Sequence, residues 1–109
     1  MTIIHKDLPE TQLAVLLGPN VRELATIPVG KPGPNEVLIE NVAVAANPKD
    51  WKVAEMIYAP GEKFVEGNDV AGTIVAVGEG VSEYKVGSRV AALSKMGAKD
   101  NKASHLTIR

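Results

Sequence analysis

EGNDVAGTIVAVGEGV, residues 66–81, holds four of the chain's ten glycines around the apolar run Val70–Val77. Two architectures compete for such a stretch. A strand ending in Gly78-Glu79-Gly80 and opening a helix would cradle the phosphates of a nucleotide; a strand ending in a turn would belong to β structure. The dinucleotide fingerprint needs Gly-x-Gly-x-x-Gly, and here the third glycine is replaced by Glu83, whose charge opposes a phosphate. The following Val81–Gly87 segment is also too short to supply the supporting helix. The phosphate-loop template does no better. Gly67 and Gly72 have its spacing, but no lysine follows Gly72. The glycines therefore read as turn formers and points of close backbone approach within β structure.

The flanking sequence extends that reading. Gln12–Leu17 and Arg22–Ile27 are strand-like runs around Gly18-Pro19-Asn20, which predicts a hairpin. Pro28–Pro34 contains three prolines and two glycines and predicts a surface loop. Glu36–Ala46 is the longest strand candidate, with Leu38, Val42, Val44 and Ala46 on one face and Val37 and Ile39 on the other. Glu40-Asn41 interrupts the alternation and predicts a bulge that bends the strand. Asn47-Pro48 reads as an N-cap and first helical residue. Trp51, Ala54, Glu55 and Tyr58 follow at helical spacing until Pro60-Gly61, a helix of three turns at most. Arg89–Leu93 predicts a further strand, Met96–Lys102 a flexible loop, and Ala103–Ile108 one more strand. The pattern implies a mostly β domain, a partly open barrel with one or two short helices.

Composition bounds the partners. A chain of 109 residues is one domain's worth, and 45% hydrophobic residues suffice for one modest core. Twelve basic and 13 acidic residues, interleaved, leave no electrostatic footprint for nucleic acid or an anionic membrane. No cysteine is present, which excludes disulfides, thiolate nucleophiles and cysteine zinc sites and suits a cytoplasmic location. His5 and His105 stand at opposite ends and read as surface residues. No apolar run approaches the roughly 20 residues of a membrane span or forms a signal sequence.

Four phrases, in order and spacing, carry a resemblance: Pro34–Ile39 (PNEVLI), Asn47–Lys52 (NPKDWK), Gly67–Gly72 (GNDVAG) with Val75–Gly78, and Tyr84–Val90 (YKVGSRV). Together they resemble the N-terminal, GroES-like catalytic domain of the medium-chain dehydrogenase/reductase superfamily, from about Leu13 to the end of the chain. Zinc alcohol dehydrogenases carry a cysteine in the loop that here reads NPKDWK, and Gly-His-Glu where this chain has Gly67-Asn68-Asp69. Catalytic zinc needs three Cys, His or carboxylate ligands. The resemblance is thus to the zinc-independent branch, the quinone oxidoreductases and enoyl reductases, with NPKDWK most similar to fungal enoyl reductases.

That branch implies hydride transfer from NADPH to an activated carbon–carbon double bond or a quinone, on a small-molecule substrate. Without a metal, the developing enolate oxygen needs hydrogen-bond donors or a cation. Lys52 is the candidate cation and Asn47 the candidate amide donor, both on the loop that faces the nicotinamide in the family. Lys52 also reads as a solvated helix residue, and Asn47 as a helix cap, a role compatible with the pocket. Asp50 is expected to orient the loop through backbone N–H groups. Trp51 is expected in the core or a pocket wall, and Asn68 and Asp69 in a turn that holds strand geometry.

In the family a Rossmann cofactor domain with the genuine glycine fingerprint follows this domain. The fingerprint is missing here, so the chain reads as an incomplete GroES-like domain, residues 1–109, without its Rossmann domain. It is expected to bind NADPH weakly or not at all by itself, to be inactive alone, and to self-associate through exposed apolar surface. The competing reading is a stand-alone GroES-like binding or structural module without catalysis.

Overall fold

The computed structural model describes residues 3–4 and 7–94. Among them run strands β1 (Ile3–Ile4), β2 (Thr11–Gly18), β3 (Val21–Pro28) and β4 (Val37–Val44), helix α1 (Pro48–Met56), and strands β5 (Phe64–Val65), β6 (Asp69–Val77) and β7 (Arg89–Leu93). The strands form two sheets. In one, β6 is central: β4 pairs along one edge, and β7 and β1 share the other. In the second, β2 lies between β3 and β5. Two sheets with one short helix are the mostly β architecture that the punctuation of the sequence implies, and they accord with the GroES-like fold that the resemblance implies.

The expected hairpin forms. β2 and β3 pair antiparallel from Thr11 opposite Pro28 to Gly18 opposite Val21, across Pro19-Asn20. Asn20 takes the left-handed conformation, φ 58°, that asparagine tolerates better than most residues.

The stretch at 66–81 is a strand and its turns, and it is the core of the fold. Ile74, Val75, Ala76 and Val77 are each at most 4% exposed, as a continuous apolar run covered on both faces requires. Leu38 packs with Val75 and Ala76 in one cluster, and Ile39 with Val70, Ile74 and Val77 in another. Two glycines are required by close approach. A Cβ on Gly72 would stand 2.0 Å from the Glu40 carbonyl oxygen, and one on Gly78 only 1.9 Å from that of Gly33. The Gly78 N–H donates to the Glu36 carbonyl at 2.8 Å, so this backbone is committed to the sheet.

β4 departs from the face assignment expected of it. Leu38 and Ile39 are both buried, while Val42 is 82% exposed. The pairing explains this. Leu38 faces Ala76 and Ile39 faces Ile74, so Val75 is the extra residue on β6; Asn41 faces Gly72 and Ala43 faces Ala71, so Val42 is the extra residue on β4. Each bulge turns the alternation over once, and Val42 is thrown outward. The expected bulge at Glu40-Asn41 is therefore real but falls on either side of that pair.

Helix α1 begins at Pro48 as expected and buries Ala54, but it ends at Met56, where the Ile57 N–H donates to the Val53 carbonyl. Tyr58 lies beyond it, with its ring edge-on to Phe64 at 4.7 Å and 77°. Trp51 is 49% exposed and does not belong to the core, because α1 is short and buries only one residue. The two-residue strands β1 and β5 escape sequence reading, being too short to show a period. The expected loop at 96–102, the strand at 103–108, and His5 and His105 lie outside the described residues. Among the described residues no helix is long and apolar enough to cross a membrane.

Replacing Ile74, fully buried in β6, by Ala is expected to cost about 2–5 kcal/mol. Val42→Ala is expected to change stability by no more than about 0.5 kcal/mol. Urea denaturation of both variants checks the register, and equal losses would refute it.

Candidate active site

Two segments meet at the start of α1. Asn47 sits in extended conformation, φ −123° and ψ 147°, and Pro48 follows at the first helical position. The Asn47 backbone N–H donates to Asp50 Oδ2 at 3.0 Å, the carboxylate limb of a capping box, and the Asp50 N–H donates to the Asn47 carbonyl at 3.0 Å. The Asn47 side-chain amide reaches across to Asp69 Oδ2 at 2.8 Å. The Ala45 N–H donates to the Asp69 carbonyl at 2.9 Å, which aligns the two segments.

A second bridge runs beside the first. Lys49 Nζ donates to Asp50 Oδ1 at 2.8 Å and also to Asn68 Oδ1. Asn68 is 0% exposed, and its amide nitrogen donates to Ser94 Oγ at 3.1 Å and to the Ser94 carbonyl at 3.4 Å. The Ser94 N–H returns a bond to the Asn68 carbonyl at 2.8 Å. Asn47, Asp50, Lys49, Asn68 and Asp69 thus close a ring that joins the start of α1 to the start of β6, and Ser94 ties it to the end of β7.

Behind the ring lies a buried acid. Glu66 is 6% exposed and accepts a hydrogen bond from the Tyr58 hydroxyl. Burial pushes the Glu66 carboxyl above the usual carboxylate range; the Asp50 charge adds to this, and the Tyr58 hydrogen bond and the Lys49 charge oppose it. Burial and the bond to Glu66, with the charges of Glu66 and Glu62, push the Tyr58 phenol well above its ordinary value.

The outward side of α1 carries Trp51 and Lys52, both exposed, with Lys52 Nζ 5.5 Å from the Trp51 ring centroid. At such a site a cation–π contact contributes about 0.5–1 kcal/mol. Of the residues singled out from sequence, Asn47 and Asp50 come together in the ring, while Trp51 and Lys52 pair outside it. Lys49, Glu66 and Tyr58 escaped sequence reading. Nothing local distinguishes Lys49 from Lys52, since both are lysines within the first half of one short helix; the difference is the buried amide opposite Lys49. Beside Asp69, residues Ala43–Ala45, Val70, Ala71 and Ala91–Leu93 line a shallow groove with an apolar floor.

Among the described residues no three His, Cys, Asp or Glu side chains gather at metal-binding distances. A dinucleotide's phosphates do not fit at Gly72 or Gly78. The space a Cβ would take at Gly72 and Gly78 is filled by carbonyl oxygens, which repel an anion. At the start of α1 the half-buried Asn47 amide, paired with Asp69, is a polar group of the kind a carboxamide can hydrogen-bond.

The alcohol dehydrogenase GroES-like domain model matches residues 33–106. The chain belongs to this family. It is 41% identical over 76 residues to the trans-enoyl reductase fsr4 of Gibberella fujikuroi, covering 70% of this chain and 22% of that protein. It is 40% identical over 80 residues to a chloroplast envelope quinone oxidoreductase homolog of Arabidopsis thaliana, covering 69% of this chain and 24% of that protein. Among solved structures, the crotonyl-CoA carboxylase/reductase AntE in complex with NADP superposes with a TM-score of 0.66 at 21% identity, covering 98% of this chain and 32% of that one. The chain therefore spans about a quarter of the length of these curated relatives and a third of that structure.

The raised carboxyl of Glu66 makes a signed expectation. A group whose folded-state pKa lies above its unfolded value adds stability at low pH, and that stability is lost as pH rises through the folded pKa. Glu66→Gln keeps an acceptor for Tyr58 without the charge. The variant should match the wild type at about pH 4 and exceed it in urea midpoint as pH rises above the ordinary carboxylate range. An advantage that shrinks with rising pH would refute the assignment.

Proposed function

We propose that this domain is the catalytic portion of a zinc-independent, NADPH-dependent oxidoreductase of the enoyl or quinone reductase type. The observation that carries the reading is one short helix that presents an exposed ammonium, Lys52, and has an amide donor, Asn47, at a start pinned by the hydrogen-bonded ring. The likeness to trans-enoyl reductases and to a quinone oxidoreductase homolog supports the reaction class.

The bound nicotinamide supplies the hydride. Lys52 stabilises the negative charge that develops on the substrate carbonyl oxygen as the double bond is reduced, in place of a metal. Asn47 has one amide proton engaged by Asp69 and a second with which to orient the ring or the substrate. Asp50 holds the Asn47 backbone in place, and Trp51 walls the approach to Lys52. The substrate is a small molecule with an activated double bond. Because Gly72 and Gly78 offer phosphates no seat, the chain by itself binds NADPH weakly and is inactive alone. Exposed Leu24, Val42 and Leu93 favour self-association, and the lack of cysteine suits the cytoplasm.

The test joins this chain to the part of the fsr4 relative that it does not cover and follows NADPH oxidation with an enoyl thioester and with a quinone. Turnover is expected with at least one substrate, and Lys52→Met should lower kcat by about 10- to 1000-fold. A joined protein that binds NADPH yet reduces neither substrate overturns the function; an unchanged kcat in the variant overturns the role of Lys52. Submicromolar NADPH binding by the isolated chain would contradict the weak-binding expectation.

A further inference from the structure

We infer that Lys49 is a positioning residue, whose ammonium sets the place of Asn47 by holding together the two segments that Asn47 bridges. The fixed point is Asn68. A fully buried amide must have both its oxygen and its nitrogen satisfied, and its nitrogen is directed at two oxygens of Ser94. That fixes the orientation of the amide, so its oxygen faces Lys49 and takes an N–H from it. An ammonium carries three donors on one compact charge, and Lys49 uses two of them in two directions, on Asn68 and on Asp50.

Asp50 is bound on both oxygens. Lys49 takes Oδ1, and the Asn47 backbone N–H takes Oδ2, so the ammonium determines where the carboxylate that caps Asn47 can sit. From the other side, the chain neighbour of Asn68 is Asp69, which accepts from the Asn47 amide. Lys49 therefore acts on Asn47 by two routes and touches it by neither. Its side chain is 27% exposed and that of Asp50 16%, so these charge-assisted bonds are shielded well beyond those of an open surface pair. The same cation lies where it opposes the combined negative charge of Asp50 and Glu66. Removing it opens the ring at two bonds, the one to Asn68 and the one to Asp50.

The consequence for catalysis rests on the function proposed above, but the measurement needs neither cofactor nor substrate. Hydrogen exchange is followed by NMR in the 109-residue chain at the Asn47 side-chain amide and at the backbone amides of Ile74 and Gly78, which donate to the Ser88 and Glu36 carbonyls away from the ring. In Lys49→Met the Asn47 amide is expected to exchange at least about tenfold faster, with Ile74 and Gly78 unchanged and the two Asn47 amide proton shifts converging. Unaltered Asn47 exchange and shifts overturn the inference. So does a uniform loss at Asn47, Ile74 and Gly78 in both Lys49→Met and the milder Lys49→Gln, since that makes Lys49 a support of the whole fold. An inactive joined protein with a Lys49-dependent Asn47 leaves this inference standing; a Lys49-independent Asn47 in an active one removes this inference alone.

Discussion

The close approach of backbone to backbone along β6 is the constraint on which the rest of the domain depends. β4 crosses β6 with the Glu40 carbonyl oxygen against Gly72, and the chain at Gly33 passes as closely over Gly78. Any side chain at either glycine would push these segments apart by more than a packed core can absorb. With them in place, β6 accepts β4 along one edge and both β7 and β1 along the other, so its residues 74–77 are sealed on both faces. The hydrophobic stabilisation of a domain with few aromatic residues comes mainly from this strand and the two clusters around it.

The site inherits its geometry from the same strand. β6 begins at Asp69, so the sheet that buries Ile74 also fixes the Asp69 carboxylate and the Asn68 amide next to it. The start of α1 then has two fixed partners, and the ring of Asn47, Asp50, Lys49, Asn68 and Asp69 closes on them. Polar groups in this position are costly unless fully partnered, and partnered they resist displacement. The exposed residues of α1, Trp51 and Lys52, are thereby carried on a rigid support while remaining open to whatever meets the domain.

Much of this was legible in the order of residues. The rejection of a phosphate cradle at 66–81 followed from Glu83 and the missing lysine, and the glycines proved to be points of close approach. The hairpin at Pro19-Asn20, the start of α1 at Asn47-Pro48 and the interrupted alternation in β4 each have a local cause, namely turn chemistry, capping and a break in the period of two. The faces of β4 were not legible. A bulge reverses every later side chain, and whether the extra residue is Glu40, Asn41 or Val42 depends on which strand lies opposite. Of the two places expected for Trp51, a core or a pocket wall, the core is excluded: a nine-residue helix that buries only Ala54 leaves the indole 49% exposed.

The sequence by itself determined the class of the domain, its β punctuation and the segment from which its polar chemistry is drawn, because turns, caps and periodicity act between neighbours in the chain. Only the tertiary structure decided which lysine of NPKDWK turns inward. Lys49 and Lys52 are equivalent in local propensity, and what separates them is a buried amide 19 positions away, brought opposite Lys49 by the pairing of β6 with β4 and β7.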